Sequence, residues 1–508
     1  MGITSFYFFC FLAVTCGIYY IIPTKNRWIC LSIFSLLFFC INSNVWTFPF
    51  LLLCILVTYV VASIIKTNCK KEIKKIALIC GVIVNCGLLL VFKYSNFFID
   101  NINVVSKLLN KPVNIPQIEL AAPLGISFYT LTAIGYMLDC YWGIRTESIG
   151  LLRTALFIGF FPQLTSGPIT RISQVDTLFK SDNNMSQNVF LGCQRILWGI
   201  FKKLVLSVRF KAIVDGIYSN IEIYNGIYIW IAAAFFVLEL YTDFSGCMDI
   251  VLGVSECYGV YLPENFKQPF FSLDMQEFWQ RWHITLGGWY REYILFPVMN
   301  TNVIKSIEGK CKKRFGRQTG RIISSAIGML SVWILFGVWH GGKWKFIIMG
   351  LYFWLMIIIQ IIMKSPMKKI CSYFYIDSNT FGYRLLQRVK VFILVMVGNM
   401  FFRLQNIKSV ILAIKAGFSI FNPWVIFDGS ILNIGGMTEC DEKIMTGGIL
   451  LLFMVGLYNE KKGSLRQFIS KQLFLIRIVV WISLLLACLL FGDYGPGIDA
   501  QEFLYQMF

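Results

Sequence analysis

Charge is scarce in this 508-residue chain: 14% of its residues are Asp, Glu, Lys or Arg, where a soluble domain carries about a quarter. With 57% apolar residues and a mean hydropathy of +0.67, the chain has too little polar surface to cover a soluble particle. Acid is scarcer than base, 27 residues against 46, for a net charge of +19. Histidine is almost absent, with two in the whole chain. The 16 cysteines include no C-x-x-C pair and mostly lie inside apolar stretches, as Cys10, Cys16, Cys54 and Cys86 do, which excludes a zinc site or disulfide frame by spacing. No G-x-S-x-G, G-x-G-x-x-G, G-x-x-x-x-G-K-[ST] or H-E-x-x-H occurs, so serine-hydrolase, dinucleotide, P-loop and zincin chemistry lack support. The first 24 residues carry no charge, so the basic start of a cleavable signal peptide is missing, and Phe6 breaks the myristoylation pattern. The start reads as a retained membrane segment.

What is present is a series of uncharged runs from end to end. They occupy 1–24, 28–65, 76–92, 121–138, 154–170, 223–238, 322–342, 346–363, 391–402, 444–458 and 478–492. The run 28–65 is long enough for two spans of about 20 residues, with a turn at Ile41-Asn42-Ser43-Asn44. At least eleven spans are expected in one polytopic domain over 1–508, with a core at about 121–363 and C-terminal helices at 389–508. The connections 23–27, 66–75, 305–321, 364–390 and 459–472 hold 24 basic residues, whereas 42–46, 98–120 and 404–445 hold five. The positive-inside rule then puts the first set in the cytoplasm and both termini outside, and it accounts for the basic excess without nucleic acid. Between 120 and 305 six segments compete: 121–138, 154–170, 190–207, 223–242, 246–262 and 289–304. An odd number must cross, so at least one should be re-entrant, with 154–170 (Pro162, Pro168) and 289–304 (Pro297) the best placed.

Both histidines follow a tryptophan beside an apolar segment: Trp282-His283 and Trp339-His340. A neutral imidazole in a dry site is a general base suited to physiological pH. A lone histidine can be interhelical glue, but the paired arrangement points to function. Glu239 and Asp243 are spaced i, i+4, with Asp249 six residues on. Carboxylates at membrane depth mark either a polar cavity or ion pairs, here with the Arg281/Arg291 segment.

The stretch 241–293, YTDFSGCMDIVLGVSECYGVYLPENFKQPFFSLDMQEFWQRWHITLGGWYREY, resembles the membrane-bound O-acyltransferases (MBOAT), in their branch of alginate O-acetylases and D-alanyl-teichoic-acid transferases. PLGISFYTLTAIGYMLD at 123–139, FFPQLTSGPITR at 160–171, GIFKKLVL at 199–206, VWHGGKWKFIIMG at 338–350 and FLYQMF at 503–508 extend the likeness. After Phe296-Pro297 the family's Leu-Gly-Gly turn is replaced by Val298-Met299-Asn300. The resemblance implies an all-α polytopic fold, a ring of roughly 11–13 transmembrane helices with re-entrant segments around a thin core and a central tunnel. It implies His340 as the catalytic histidine and His283 as a second catalytic element. Trp279, Arg281, Trp282, Trp289 and Trp339 are expected in the tunnel, with Asp243 and Asp249 on its polar wall. No metal or bound cofactor is expected. The resemblance further implies an acyl-thioester donor, acetyl-CoA or an acyl-carrier protein, on the cytoplasmic side of a bacterial cell membrane, and as acceptor an extracellular glycan or an SGNH-type partner acyltransferase. D-alanyl transfer to teichoic acid is the second reading. A transporter or flippase, the reading from another class, should show inverted repeats, and neither Trp-His element recurs.

Overall fold

A computed structural model describes residues 2–111, 113–144, 149–180 and 184–494; the FLYQMF stretch at 503–508 lies outside them. The described residues are helical, with one isolated bridge between Phe266 and Trp282. In chain order the helices are α1 (Phe6–Ile21), α2 (Arg27–Asn42), α3 (Phe48–Lys66), α4 (Lys71–Leu108), α5 (Ile126–Tyr141), α6 (Leu151–Gly159), α7 (Phe161–Ser166), α8 (Met185–Ile200), α9 (Val208–Tyr218) and α10 (Ile227–Cys257). There follow α11 (Met275–Arg281), α12 (Ile284–Tyr290), α13 (Phe296–Met299), α14 (Asn302–Phe315), α15 (Arg317–His340), α16 (Trp344–Tyr373), α17 (Phe381–Arg403), α18 (Ile407–Gly417), α19 (Glu439–Lys462), α20 (Leu465–Ser470) and α21 (Phe474–Phe491). Segments 201–207 and 291–295 are π-helical.

Among the described residues, eight helices are long and apolar enough to cross a membrane: α2, α3, α4, α10, α15, α16, α17 and α21. The chain is thus a multi-pass membrane protein. At least eleven spans were expected; α1, α5, α6 with α7, and α19 are shorter, broken or more polar. The turn expected at 41–44 falls at Ser43 and Asn44, between α2 and α3.

Two corrections concern the middle third. The segments 223–242 and 246–262, counted as two, form the single helix α10. Gly246 marks a close approach along it: a Cβ there would stand 2.9 Å from the Gly199 carbonyl oxygen and 3.2 Å from Lys203. Six competing segments become five, an odd number, so parity no longer requires a re-entrant segment. The stretch 154–170 is nonetheless interrupted, because Phe160 leaves helical geometry (ψ 113°) and splits it into pieces of 9 and 6 residues. The stretch 289–304 stays helical through Pro297 and ends at Met299, before a new helix begins at Asn302. Pro297 donates no backbone hydrogen bond, and the turn before it is π-helical, carrying the helix on to Met299.

The helices pack as two compact units with interleaved sequence. The first contains Met1–Ile196, Met248–Glu264 and Gly341–Lys343. Its core holds Phe8, Phe38, Phe161 and Tyr258, with the Tyr258 hydroxyl 2.6 Å from Thr15 Oγ1. Arg195 is buried there against Asp249 (3.0 Å), Glu256 (3.0 Å) and Glu264 (2.5 Å). The second unit contains Leu197–Cys247, Asn265–His340 and Trp344–Phe508, and it holds both histidines. Within it α15 and α16 form a tight hairpin. A Cβ on Gly337 would meet the Phe346 carbonyl oxygen at 2.4 Å, and one on Gly350 the Trp333 carbonyl oxygen at 2.2 Å, so only glycine permits this approach.

Candidate active site

His340 is the last residue of α15, and the hairpin contact at Gly337 fixes the turn that carries it. Its ring is 4% exposed and packed in aromatic rings: Phe336 at 4.6 Å between centroids, Trp339 at 5.0 Å, Phe402 at 5.4 Å and Phe346 at 6.3 Å. Phe402 comes from the end of α17. That end is held by a buried cation five residues beyond the histidine. Lys345 Nζ donates to the carbonyls of Phe402 (3.0 Å) and Leu404 (2.8 Å) and lies 4.7 Å from the Phe346 ring. The last carbonyls of a helix lack intrahelical donors and form the negative end of its dipole, so an ammonium there serves both needs.

His283 sits between α11 and α12 with φ 49°, a left-handed conformation unusual for a side-chain-bearing residue. The backbone reverses around it. Lys267 N donates to Arg281 O (2.9 Å), and Ile284 N donates to Asn265 O (3.0 Å). Asn265 Oδ1 accepts from Thr285 N (3.1 Å) and Thr285 Oγ1 (2.9 Å), and it stands 3.3 Å from His283 Nδ1. The backbone donor identifies that atom as the amide oxygen, so Nδ1 carries the proton toward it and Nε2 is left as the acceptor. Burial pushes the His283 pKa down to about 3, which keeps the ring neutral. Phe244 packs 4.8 Å from His283, and Trp339 stands 5.7 Å from it. Trp339 therefore contacts both histidine rings.

The other expected residues divide. Trp279 packs against Trp333 (5.1 Å), Phe336 (5.1 Å) and Phe353 (4.7 Å), one ring removed from His340. Its indole nitrogen is buried and meets no acceptor among the described residues. Trp282 stacks on Phe278 and meets Phe266 and Tyr241 beside His283. Trp289 packs on Tyr290 and Tyr293 farther along the chain. Arg281 forms a two-pronged pair with Glu460 (2.7 and 3.0 Å) and another with Glu277 (2.7 Å), tying α11 to α19. Asp243 is bonded to the buried Lys203, and Asp249 pairs with Arg195 in the first unit; of the two alternatives left by the sequence, a polar cavity or pairing with the Arg281/Arg291 segment, Arg281 is instead paired with Glu277 and Glu460. Glu239, on α10, is also buried.

Sequence reasoning missed Asn265, Lys345, and the lysine pair of the π-helical turn. Lys202 donates to Ser245 (2.8 Å) and faces the Tyr241 ring. The available signal was lysine inside otherwise apolar sequence, as in GIFKKLVL and GGKWKFIIMG. Among the described residues, no group of three His, Cys, Asp or Glu side chains is arranged to hold a metal ion.

The model of the membrane-bound O-acyltransferase family matches residues 144–310, a stretch that includes His283. The "Probable alginate O-acetylase AlgI" of Azotobacter vinelandii is 28% identical over 92% of this chain and 86% of its own length. The "Peptidoglycan O-acetyltransferase" of Helicobacter pylori is 32% identical over 62% of this chain and 61% of its own. The "Teichoic acid D-alanyltransferase" of Bacillus subtilis is 29% identical over 47% of this chain and 58% of its own. With buried Trp-His pairs on a polytopic helical frame, the chain is similar to the membrane-bound O-acyltransferases over residues 144–310 and to acyltransferases named for alginate, peptidoglycan and teichoic acid over the shares given.

Proposed function

We propose that this enzyme moves a short acyl group, acetyl in the first reading, from a thioester to a hydroxyl of a cell-envelope polymer, directly or through an SGNH-type partner acyltransferase. The observation that carries the reading is the pair of buried histidines that both contact Trp339. His340 takes the proton from the attacking hydroxyl as its oxygen bonds to the thioester carbonyl carbon. Collapse of the tetrahedral intermediate breaks the carbon–sulfur bond, and the imidazolium returns the proton to the leaving thiolate. His283, neutral and oriented by Asn265, accepts through Nε2 from the donor or acceptor and holds it in register. The buried indole N–H of Trp279 is suited to a substrate carbonyl.

Acetyl is favoured over D-alanyl because the alginate O-acetylase likeness covers 92% of the chain and the D-alanyltransferase likeness 47%. The distribution of basic residues supports a cytoplasmic donor, acetyl-CoA or an acyl-carrier protein, in a bacterial cell membrane with both termini outside. A narrow path past His340, lined by Trp279, Trp282 and Trp339, would connect donor and acceptor sides within a ring of helices.

The test is the ester-linked acyl content of envelope polymers in cells with the protein, without it, and with His340→Ala at matched protein level. Ester should disappear in the last two. Survival of ester in His340→Ala overturns the mechanism, and ester-linked D-alanine in place of acetate overturns the choice of acyl group.

A further inference from the structure

The end of the α15–α16 hairpin remote from His340 carries a cleft that acyl transfer does not use. It is open, with a volume of about 800 Å³, and four cations, Arg317, Arg321, Lys364 and Lys368, surround a floor of Ile322 and Ile361. Each cation pair is spaced i, i+4, which puts both members on one face of their helix. Like charges so placed repel, and no carboxylate lines the cleft to offset them. The acid near Arg321 is Glu308 on α14, whose carboxylate is bonded to Lys312 (2.5 Å). All four cations are exposed, so packing does not explain the arrangement. It is the charge pattern of a site for a multiply bonded anion.

The position of the cleft selects among anions. Both helices are long and apolar enough to cross a bilayer. Counting back from the Gly350–Trp333 contact at 1.5 Å per residue puts the cleft about 24 Å along the hairpin. Beyond the cations the helix faces turn apolar: Ile327, Ile359, Ile362 and Met363 are all exposed. Alongside, α14 presents exposed Val303 and Phe315 among its lysines, the pattern of a helix lying in the interface. A soluble anion would meet the cations but leave the apolar floor and flanks unused.

We propose that this cleft binds the phosphate headgroup of an acidic phospholipid, whose acyl chains lie along Ile322, Ile361 and the apolar faces beyond. The four cations contact the phosphate, and the site anchors the hairpin that carries His340.

The full-length protein, purified in detergent, is titrated with phosphatidylglycerol or phosphatidylcholine, and bound lipid is counted by native mass spectrometry. The wild type should prefer phosphatidylglycerol. Each cation removed should cost about fivefold in that preference, so Lys364→Gln/Lys368→Gln and Arg317→Gln/Arg321→Gln should each lose about 25-fold. Lys305→Gln/Lys310→Gln, outside the cleft, should keep the preference. Equal binding of the two lipids by the wild type, an unchanged preference in both cleft variants, or an equal loss in the control variant overturns the proposal. Displacement of the lipid by glycerol 3-phosphate at equal concentration also overturns it, in favour of a soluble anion.

Discussion

Asn265→Ala tests whether the orientation of His283 matters to the chemistry. One oxygen of Asn265 serves Thr285 N (3.1 Å), Thr285 Oγ1 (2.9 Å) and His283 Nδ1 (3.3 Å). The Thr285 hydroxyl can rotate to another acceptor, but its backbone N–H lies in the first turn of α12 and has none within the helix. Loss of such a cap costs about 0.5–2 kcal/mol. A buried imidazole N–H left unsatisfied adds about 1–3 kcal/mol. The expected loss is therefore about 1.5–5 kcal/mol, seen as a lower thermal midpoint in detergent. The released ring can rotate or exchange tautomers, and acyl transfer should fall about 100-fold, the lower range for acid–base groups. The assay is transfer of radiolabelled acetate to envelope polymer in isolated membranes at matched protein level.

Asn265→Asp separates position from charge. A carboxylate can accept from the same three donors, so the fold should hold. Its charge beside the imidazole raises the His283 pKa from about 3. The ring is then protonated at low pH and neutral only above its new pKa, so activity should be lost in acid and recover as pH rises. A wild-type rate in Asn265→Ala, or a pH profile in Asn265→Asp identical to the wild type, would refute the oriented neutral histidine.

Three further outcomes are expected. Lys345→Met should lower thermal stability by about 2 kcal/mol, because two C-terminal carbonyls of α17 lose a charged donor; it should also lower kcat about tenfold, a change of about 1.4 kcal/mol in the barrier, by loosening Phe402 from His340. Trp282→Ala or Trp339→Ala should let propionyl and butyryl donors compete with acetyl before activity fails, read by donor competition, since Trp282 immediately precedes His283 in the chain and the Trp339 ring stands 5.7 Å from His283. Single cysteines placed in 66–75 or 305–321 should resist membrane-impermeant maleimide in intact cells while those in 420–443 react; labelling of 305–321 from outside would reverse the assigned donor side.

Much of the frame is legible in the sequence, because a helix in lipid needs a long uncharged run and little else. The turn at Ser43 and the interruption at Phe160 follow from polar residues and proline, which act locally. The split of 223–242 from 246–262 misleads for a physical reason: the polar residues Asp243 and Ser245 interrupt the apolar run without interrupting the helix, because Lys203 and Lys202 satisfy them. The histidines stand out through rarity and their tryptophan neighbours. Their supports do not, because Asn265 reaches His283 across a chain reversal and Lys345 reaches α17 across 57 residues of sequence, distances on which periodicity is silent.

The acids make the same point more sharply. A carboxylate in an apolar helix must be paired or beside water, and composition cannot say which. In the folded chain Asp243 is bonded to Lys203, and Arg281 is occupied by Glu277 and Glu460. These groups act as struts between helices: removing one partner of a buried pair costs about 3–5 kcal/mol, whereas replacing both by apolar residues can be neutral. A strut and a catalytic group therefore respond oppositely to paired replacement. Lys203→Met with Asp243→Leu should restore stability and activity together if Asp243 only braces α10. Activity that stays lost in a stable double variant would return Asp243 to the reaction.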